Sequence, residues 1–290
     1  MRFGVHLSIS PRLRAAPERA AELGCDTFQI FCGNPRGWKK KAIDPEEAAE
    51  FREAVRREKL SPVVVHASYL INPACPKKRM HAKSVRAFAE ELDRSTALGA
   101  DYYIIHPGNH LGSGAAAGLQ RLAAAVDAAL GRAGDAAPMV LLENTAGGGS
   151  SVGGDIAELA RVLDMVAAPD RVGLCFDTAH GYAAGYRIDT RPGLAETMRV
   201  IRGGFGLGKL RVIHCNDTRA GPGTHLDRHA HIGKGRLGRA GLRSFLSCKE
   251  VRYMPIILET PVDEAGDDER NLRAVKRLAP RARARRGGSR

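Results

Sequence analysis

The stretch whose reading decides the fold is Leu174–Tyr182, LCFDTAHGY. An apolar run from Val172 to Phe176 has strand character and stops at Asp177, with His180 and Gly181 close behind. A carboxylate and an imidazole thus sit where a buried strand ends and the chain turns away. In α/β proteins that edge is where chemistry collects. Asp and His together suit a zinc-type cation, which takes nitrogen and carboxylate-oxygen ligands, and the simplest reading is one ion held by this pair. On this stretch alone the commoner role for such an Asp is capping the helix that follows, with His180 a bystander. Alone, the stretch carries both readings.

Outward from it the same pattern recurs. Apolar, β-branched runs predict strands at Phe3–His6, Thr27–Phe31, Val63–Ala67, Tyr102–His106, Val140–Asn144, Val172–Phe176, Leu210–Cys215 and Pro255–Glu259. Between them, segments such as Pro45–Lys59, Lys78–Leu98, Gly118–Arg132 and Asp155–Val166 carry helical period. Gly24, Pro62, Gly99 and Pro138 punctuate the joints, as stops and turns should. Alternating β and α units imply parallel strands covered by helices. Eight such units in 290 residues fit a closed (β/α)8 barrel better than an open sheet. The main irregularity is Thr218–Gly241, rich in Gly and His. No internal repeat or interdomain linker appears, so residues 1–279 are read as a single catalytic barrel domain and 280–290 as a basic, disordered tail.

The polar residues fall where a barrel would gather them. The third strand ends at His66, the fourth at His106, the fifth at Glu143-Asn144 and the sixth at Asp177 with His180 beyond. The seventh carries His214 and the eighth Glu259. One strand-end His or Glu is usually structural. Six consecutive strands ending so is different, because closure brings the ends together, and burying that many acids is costly without cations. The loop after the seventh strand adds Asp227, His229 and His231 in DRHAHIG, and Asp-x-His places two ligand types on one side of an extended segment. Five histidines (66, 106, 180, 214, 229) and four carboxylates (Glu143, Asp177, Asp227, Glu259) exceed what one four-coordinate ion can use. Two or three ions are implied. So many imidazoles favour zinc over magnesium, with manganese or iron admissible at one position.

Composition bounds the partners. Hydrophobic residues make up 43% of the chain, enough for a real core, and no apolar run approaches the ~20 residues of a membrane span. The N-terminus MRFGVHLSIS lacks a signal-peptide pattern, so a cytosolic protein, nucleoid-associated if bacterial, is expected. Six cysteines show no C-x-x-C pair, which argues against a disulfide framework or a cysteine zinc knuckle. The net charge is +13, and subtracting the five arginines of RARARRGGSR leaves +8. A body that basic suits a polyanion such as nucleic acid.

Taken together, HASYLIN (66–72), HPG (106–108), LENTAG (142–147), FDTAHG (176–181), HCNDT (214–218), DRHAHIG (227–233) and ILET (257–260) resemble the motifs of the endonuclease IV family. Those enzymes are zinc-dependent apurinic/apyrimidinic endonucleases of base-excision repair. The resemblance runs from GVHLSIS (4–10) to the last strand. It implies a xylose-isomerase-like (β/α)8 barrel with three zinc ions. His66, His106 and Glu143 would hold the first ion. Glu143 would bridge to a second completed by Asp177, His214 and Glu259, and His180, Asp227 and His229 would hold the third. Glu143, Asp177 and Glu259 would be the catalytic carboxylates. The implied reaction is hydrolysis of the phosphodiester 5′ to an abasic site in duplex DNA, leaving a 3′-hydroxyl and a 5′-deoxyribose phosphate. A monomer without an obligatory protein partner would suffice.

Two loops resemble the family's DNA-reading elements, NPRGW (34–38) and SYLIN (68–72). The resemblance implies that Arg36, Tyr69 and Leu70 enter the base stack, where an abasic nucleotide is cheapest to extrude. The plainer alternatives are a surface phosphate contact for Arg36, a packed loop aromatic for Trp38 and core packing for Tyr69. His6 and His231 are expected to orient ligands; His81, His110 and His225 are assigned to surface or loop roles. Lys234 in GKGRLG stands where the family commonly has an acid, which puts the local hydrogen bonding in question. Two rivals remain: a metal-dependent sugar isomerase or epimerase, which would not account for Asp227-x-His229 or the NPRGW loop, and an inactive DNA-binding homologue, whose mark would be a lost ligand.

Overall fold

The computed structural model describes residues 1–280. In chain order its elements are β1 (Arg2–Leu7), α1 (Ala15–Glu22), β2 (Phe28–Phe31), α2 (Pro45–Arg57), β3 (Val63–His66), α3 (Lys78–Ala97) and β4 (Tyr102–Ile105). There follow α4 (Ala115–Ala133), β5 (Met139–Glu143), α5 (Ile156–Ala160), β6 (Val172–Asp177), α6 (Thr178–Ala183), α7 (Arg191–Gly204) and β7 (Leu210–His214). The chain ends with the short pair β8 (Asp217–Thr218) and β9 (His229–Ala230), then α8 (Gly238–Leu246), β10 (Pro255–Leu258) and α9 (Asp267–Leu278). Eight parallel strands close into a barrel in the order β1-β2-β3-β4-β5-β6-β7-β10, and β10 returns to β1. Among the described residues no helix is long and apolar enough to cross a membrane. The expected basic tail falls, from residue 281 onward, outside the described residues.

Strand periodicity positions the site. Successive side chains alternate between the faces of a strand. Val64, Ile104, Leu141, Cys175, Val212 and Ile257 point into the barrel and pack together, sealed from solvent. Their neighbours, such as Val65, Tyr103, Leu142, Leu174, Ile213 and Ile256, face outward into the larger core shared with the helices. Each buried aliphatic side chain contributes about 1.5–3 kcal/mol. Two residues further along the same strands, in the same inward phase, come His66, His106, Glu143, Asp177, His214 and Glu259. The candidate site is therefore the next inward tier above an apolar plug.

Two expectations need correcting. The helical pattern of Asp155–Val166 does not run through: α5 stops at Ala160 and the chain tightens into a 3₁₀ turn over Arg161–Asp164. Tightening to i→i+3 bonding, with Met165 N–H donating to the Val162 carbonyl, keeps Val162 buried. The stretch Thr218–Gly241 is not wholly irregular, since Asp217–Thr218 pairs antiparallel with His229–Ala230. That pairing folds the Asp227–His229 segment back over the barrel mouth.

Candidate metal centre

Glu143, fully buried, is the hub. Its Oε2 lies 3.0 Å from His66 Nε2 and 3.1 Å from His106 Nε2, and its Oε1 lies 2.9 Å from His214 Nδ1 and 3.3 Å from His180 Nδ1. Three groups of side chains bring their ligand atoms within 4.8 Å of one another: His66, His106 and Glu143; Glu143, Asp177, His214 and Glu259; and Asp177, His180 and His229. Glu143 is common to the first two groups, and Asp177 to the last two. Asp227 closes the third group on the solvent side, with its carboxylate oxygens 3.2 Å from His180 Nε2 and 3.4 Å from His229 Nε2. All nine sequence-predicted ligands thus converge. Asp177 and His180 do share a group, as the opening stretch suggests, but with His229 added and with Asp177 serving the second group as well.

Hydrogen bonds fix which imidazole nitrogen is available. His66 Nδ1 donates to the Ala67 carbonyl at 2.8 Å, His180 Nδ1 to that of Asn144 at 3.0 Å, and His229 Nδ1 to that of Glu259 at 3.0 Å. His214 uses its other nitrogen, Nε2, against Gln29 Oε1 at 2.8 Å. The Gln29 orientation is set independently, because its Nε2 donates to the Glu259 carboxylate at 2.6 Å, a group that only accepts. His214 Nδ1 is therefore the nitrogen left facing Glu143 and, at 3.0 Å, Glu259 Oε2. A bare lone pair opposed to two carboxylate oxygens is repulsive unless a proton or a cation lies between. His229 Nε2, buried and without a hydrogen-bond partner, is in the same position toward Asp177 and Asp227. The donor set fits divalent cations with nitrogen and oxygen ligands.

The ionisation pattern has the same cause. Burial pushes the Glu143 carboxyl up, but the His214 and His106 charges outweigh it and hold it well below the usual carboxylate range. Burial opposes ionisation of Glu259 likewise, and His214 reverses that. Burial lowers His180, yet Asp177, Asp227 and Glu143 raise it well above its ordinary value.

Local structure explains the placement. Asp177 ends β6 and caps α6, its Oδ1 accepting from His180 N–H at 2.8 Å while its Oδ2 accepts from Asn216 Nδ2 at 2.6 Å. The helix-cap reading and the ligand reading of Asp177 thus hold together. At Gly181 a Cβ would come within 2.6 Å of the Phe176 ring, so only glycine lets α6 sit this close to β6 and deliver His180 inward. Three amides outside the nine ligands complete the frame, of which the strand-end pattern names only Asn144. Gln29 on β2 ties His214 to Glu259, Asn144 holds the Asp177 backbone through both ends of its amide, and Asn216 braces Asp177 and the Glu259 N–H. A polar residue in the apolar run TFQIF was the available signal for Gln29.

His6, expected to orient ligands, has its Nδ1 2.9 Å from Gln29 Nε2 and 3.6 Å from Glu259 Oε1, and its ring packs on Phe31. His231 faces other partners. β9 ends at Ala230, the alternation stops there, and His231 turns to Asp263 and Asn271 instead. Lys234 is exposed, and the hydrogen bonding of its loop is carried by Asp217, whose buried carboxylate accepts from the N–H groups of Gly235, Leu237 and Gly238.

The mouth of the cage is a cavity of about 360 Å³ lined by His106, His180, Asp227, His229, Glu259 and Tyr69 among others. A larger surface groove of about 720 Å³ lies between α7 and α8, away from the cage, lined by arginines and apolar side chains. Tyr69 is 68% exposed and not part of the core; its ring meets Phe31 edge-on at 5.1 Å. Partial burial pushes the Tyr69 hydroxyl up, with the Glu259 charge adding to this and Arg36 opposing. Arg36 is exposed and Leu70 half-buried. Trp38 is a packed loop aromatic, against the core with Lys83 Nζ 4.1 Å from its ring.

Residues 17–281 match the family model described as a xylose isomerase-like TIM barrel. A protein called probable endonuclease 4 from Methanoculleus marisnigri is 47% identical over 276 residues, covering 95% of this chain and 98% of that protein. One of the same name from Methanosphaerula palustris is 45% identical over 285 residues, covering 97% and 100%. The crystal structure of endonuclease IV from Thermus thermophilus superposes with a TM-score of 0.85 at 34% identity, over 96% of this chain and 98% of that one. The chain, with its closed barrel and its cage of histidines and carboxylates, belongs to the endonuclease IV family.

Proposed function

We propose that the protein is an endonuclease that hydrolyses the phosphodiester 5′ to abasic sites in duplex DNA, leaving a 3′-hydroxyl and a 5′-deoxyribose phosphate, in base-excision repair. The observation that carries the reading is the pair of shared carboxylates, Glu143 and Asp177, which join three overlapping ligand groups into one continuous cage at the barrel mouth. His66, His106 and Glu143 would hold one zinc ion, Glu143, Asp177, His214 and Glu259 a second, and His180, His229 and Asp227 a third, with Asp177 also within reach of it. Bound there, such ions would supply a nucleophile at neutral pH and charge for both the attacked phosphate and the leaving oxygen.

The chain's own contribution is orientation. Glu143, Asp177 and Glu259 are the catalytic carboxylates of this reading, and each is braced: Glu143 by four imidazoles, Asp177 by Asn216 and the α6 N-terminus, Glu259 by Gln29. Such bracing sets the geometry before substrate arrives, which lowers the reorganisation cost of the reaction. Arg36, Tyr69 and Leu70, on the two loops above the cavity, would fill the gap left by the extruded abasic nucleotide. The duplex would be gripped through its phosphates by a surface whose net charge stays basic without the C-terminal arginines.

The test is incision of a duplex bearing one synthetic abasic site, with metal analysis of the same sample and a parallel sample after prolonged chelation. Metal-replete protein should cut once, 5′ to the lesion, and chelated protein should not. Absence of incision by metal-replete protein would defeat the reading, and clearly fewer than three ions per chain would count against the third group.

A further inference from the structure

The buried face of α3 carries an acid where its period calls for an apolar residue. Ser84, Phe88, Leu92 and Ser95 line that face together with Glu91, whose side chain is 1% exposed. Glu91 Oε1 makes an ionic contact at 2.6 Å, without hydrogen-bond geometry, with the Nζ of Lys40, whose side chain is 6% exposed and whose methylene stem runs back along Gly33. Glu91 Oε2 accepts from the Ser68 N–H at 3.1 Å and from the Tyr103 hydroxyl at 2.9 Å. One turn on, Arg94 donates to the carbonyls of Cys32, at 2.8 Å from Nε, and Lys41, at 2.6 Å.

Lys40 lies in the loop that carries Arg36, and Ser68 opens the loop that carries Tyr69. One buried carboxylate therefore touches both loops, Oε2 by a hydrogen bond to one and Oε1 by an ionic contact with the other. Stability alone does not account for the arrangement, since an apolar pair of similar volume is often as stable as a buried ion pair, and such pairs are best attested as devices that fix register.

We propose that Glu91 is a positioning residue that sets the spacing of the Arg36 and Tyr69 loops, so that the two side chains engage a lesion as one unit. The inference rests on the abasic-site reading above. It predicts energetic coupling between two residues on separate loops that vanishes when the strap is cut. The strap is cut selectively by Lys40→Met with Glu91→Gln, because Gln keeps an acceptor for Ser68 N–H and Tyr103 while the ionic contact with the Arg36 loop is gone.

The experiment is a double-mutant cycle of Arg36→Ala and Tyr69→Ala on incision of an abasic duplex by metal-replete protein. In the otherwise unaltered protein, the combined loss in kcat/KM should fall short of the product of the single losses by about fivefold or more. In the strap-cut background the losses should multiply to within about twofold. Cutting the strap alone should raise KM and leave kcat within about twofold, with melting temperature and metal content showing the fold intact. If the strap-cut protein does not fold, Lys40→Arg, which keeps the charge but changes the reach, takes its place in the same cycle. Coupling that persists in that background, or that is absent in the unaltered protein, overturns the inference. Failure of the unaltered protein to cut an abasic duplex is a separate result, which sinks the functional reading and this one with it.

Discussion

Two tiers of the same barrel, two residues apart along the same strands, could hardly differ more. In the lower tier Val64, Ile104, Leu141, Cys175, Val212 and Ile257 meet as a dry apolar plug. In the upper tier His66, His106, Glu143, Asp177, His214 and Glu259 meet as a cage of ionisable groups whose charges can be tolerated only together. The difference teaches that burial is constant and chemistry is not: the plug gains from excluding water, whereas the cage is costly to build and rests on the plug for its stability. Substitutions in the two tiers should therefore separate stability from activity.

The largest contrast is Glu143→Ala against Leu141→Ala. Removing the hub takes a shared ligand from two of the three groups, so incision should fall by about a thousandfold or more and metal content should drop, while the plug keeps the chain folded. Leu141→Ala opens a cavity in the plug and should lower stability by roughly 2–5 kcal/mol, with incision per folded molecule and metal content little changed. Denaturant melts, metal analysis and incision rates on both variants check this. Equal losses of stability in the two would erase the distinction between the tiers.

Within the cage the sharing pattern grades the next effects. Asp177 belongs to two groups and His180 to one. His180→Ala should deplete the third ion and leave the other two, whereas Asp177→Ala should disturb two positions and also uncap α6, at a further cost of about 1 kcal/mol. Ion counts on purified variants, read beside thermal melts, would show it. Gln29→Leu should act more mildly, because Gln29 orients His214 and Glu259 without itself belonging to a ligand group. About ten- to a hundredfold weaker metal affinity is expected, measured by competition with a chelator.

Six of the nine cage residues were legible in the sequence because each ends a barrel strand, and strand ends in a closed barrel converge; His180 in α6 and Asp227 and His229 beyond β7 showed only beside them. Gln29 and Asn216 were harder to see for a physical reason. Amides brace rather than ligate, so nothing in their chemistry marks them until partners such as Glu259 and Asp177 are in place. His231 was expected to orient ligands because DRHAHIG places it beside Asp227 and His229, but β9 ends at Ala230 and the side chain goes to Asp263 and Asn271. The Glu91 strap was invisible, since Lys40, Ser68 and Glu91 lie in different elements and no spacing joins them.

The plug takes up no protons and the cage must exchange them. His180 is held above its ordinary value and Glu143 and Glu259 below theirs, so in the metal-free protein the cage keeps imidazole protons to higher pH than free histidine would. An incoming cation has to displace those protons. Metal affinity should therefore fall as pH drops through and below the raised histidine range, and binding near neutral pH should release protons. Calorimetric titration of the chelated protein in buffers of different ionisation enthalpy measures that release directly. An apparent enthalpy independent of buffer would show that the cage is already deprotonated.

The smallest effect belongs to the loop that departs from the family's usual residue. Lys234→Glu reverses a charge near the mouth, and if side chains at that position organised the loop, the change should be felt in the cage. The geometry argues otherwise. The loop is held by main-chain N–H groups of Gly235, Leu237 and Gly238 on the buried carboxylate of Asp217, and at Gly235 a Cβ would come within 2.4 Å of that carboxylate. Lys234 points to solvent and takes no part in this. Stability should shift by no more than about 0.5 kcal/mol and the ion count should stay the same. Only the phosphate grip should respond, through a slightly shallower dependence of DNA binding on salt, because one cation fewer faces the duplex. Asp217→Asn is the informative partner: it keeps the shape and loses the charge that gathers three N–H groups. It should loosen the Asp227–His229 segment and lower retention of the third ion where Lys234→Glu does not.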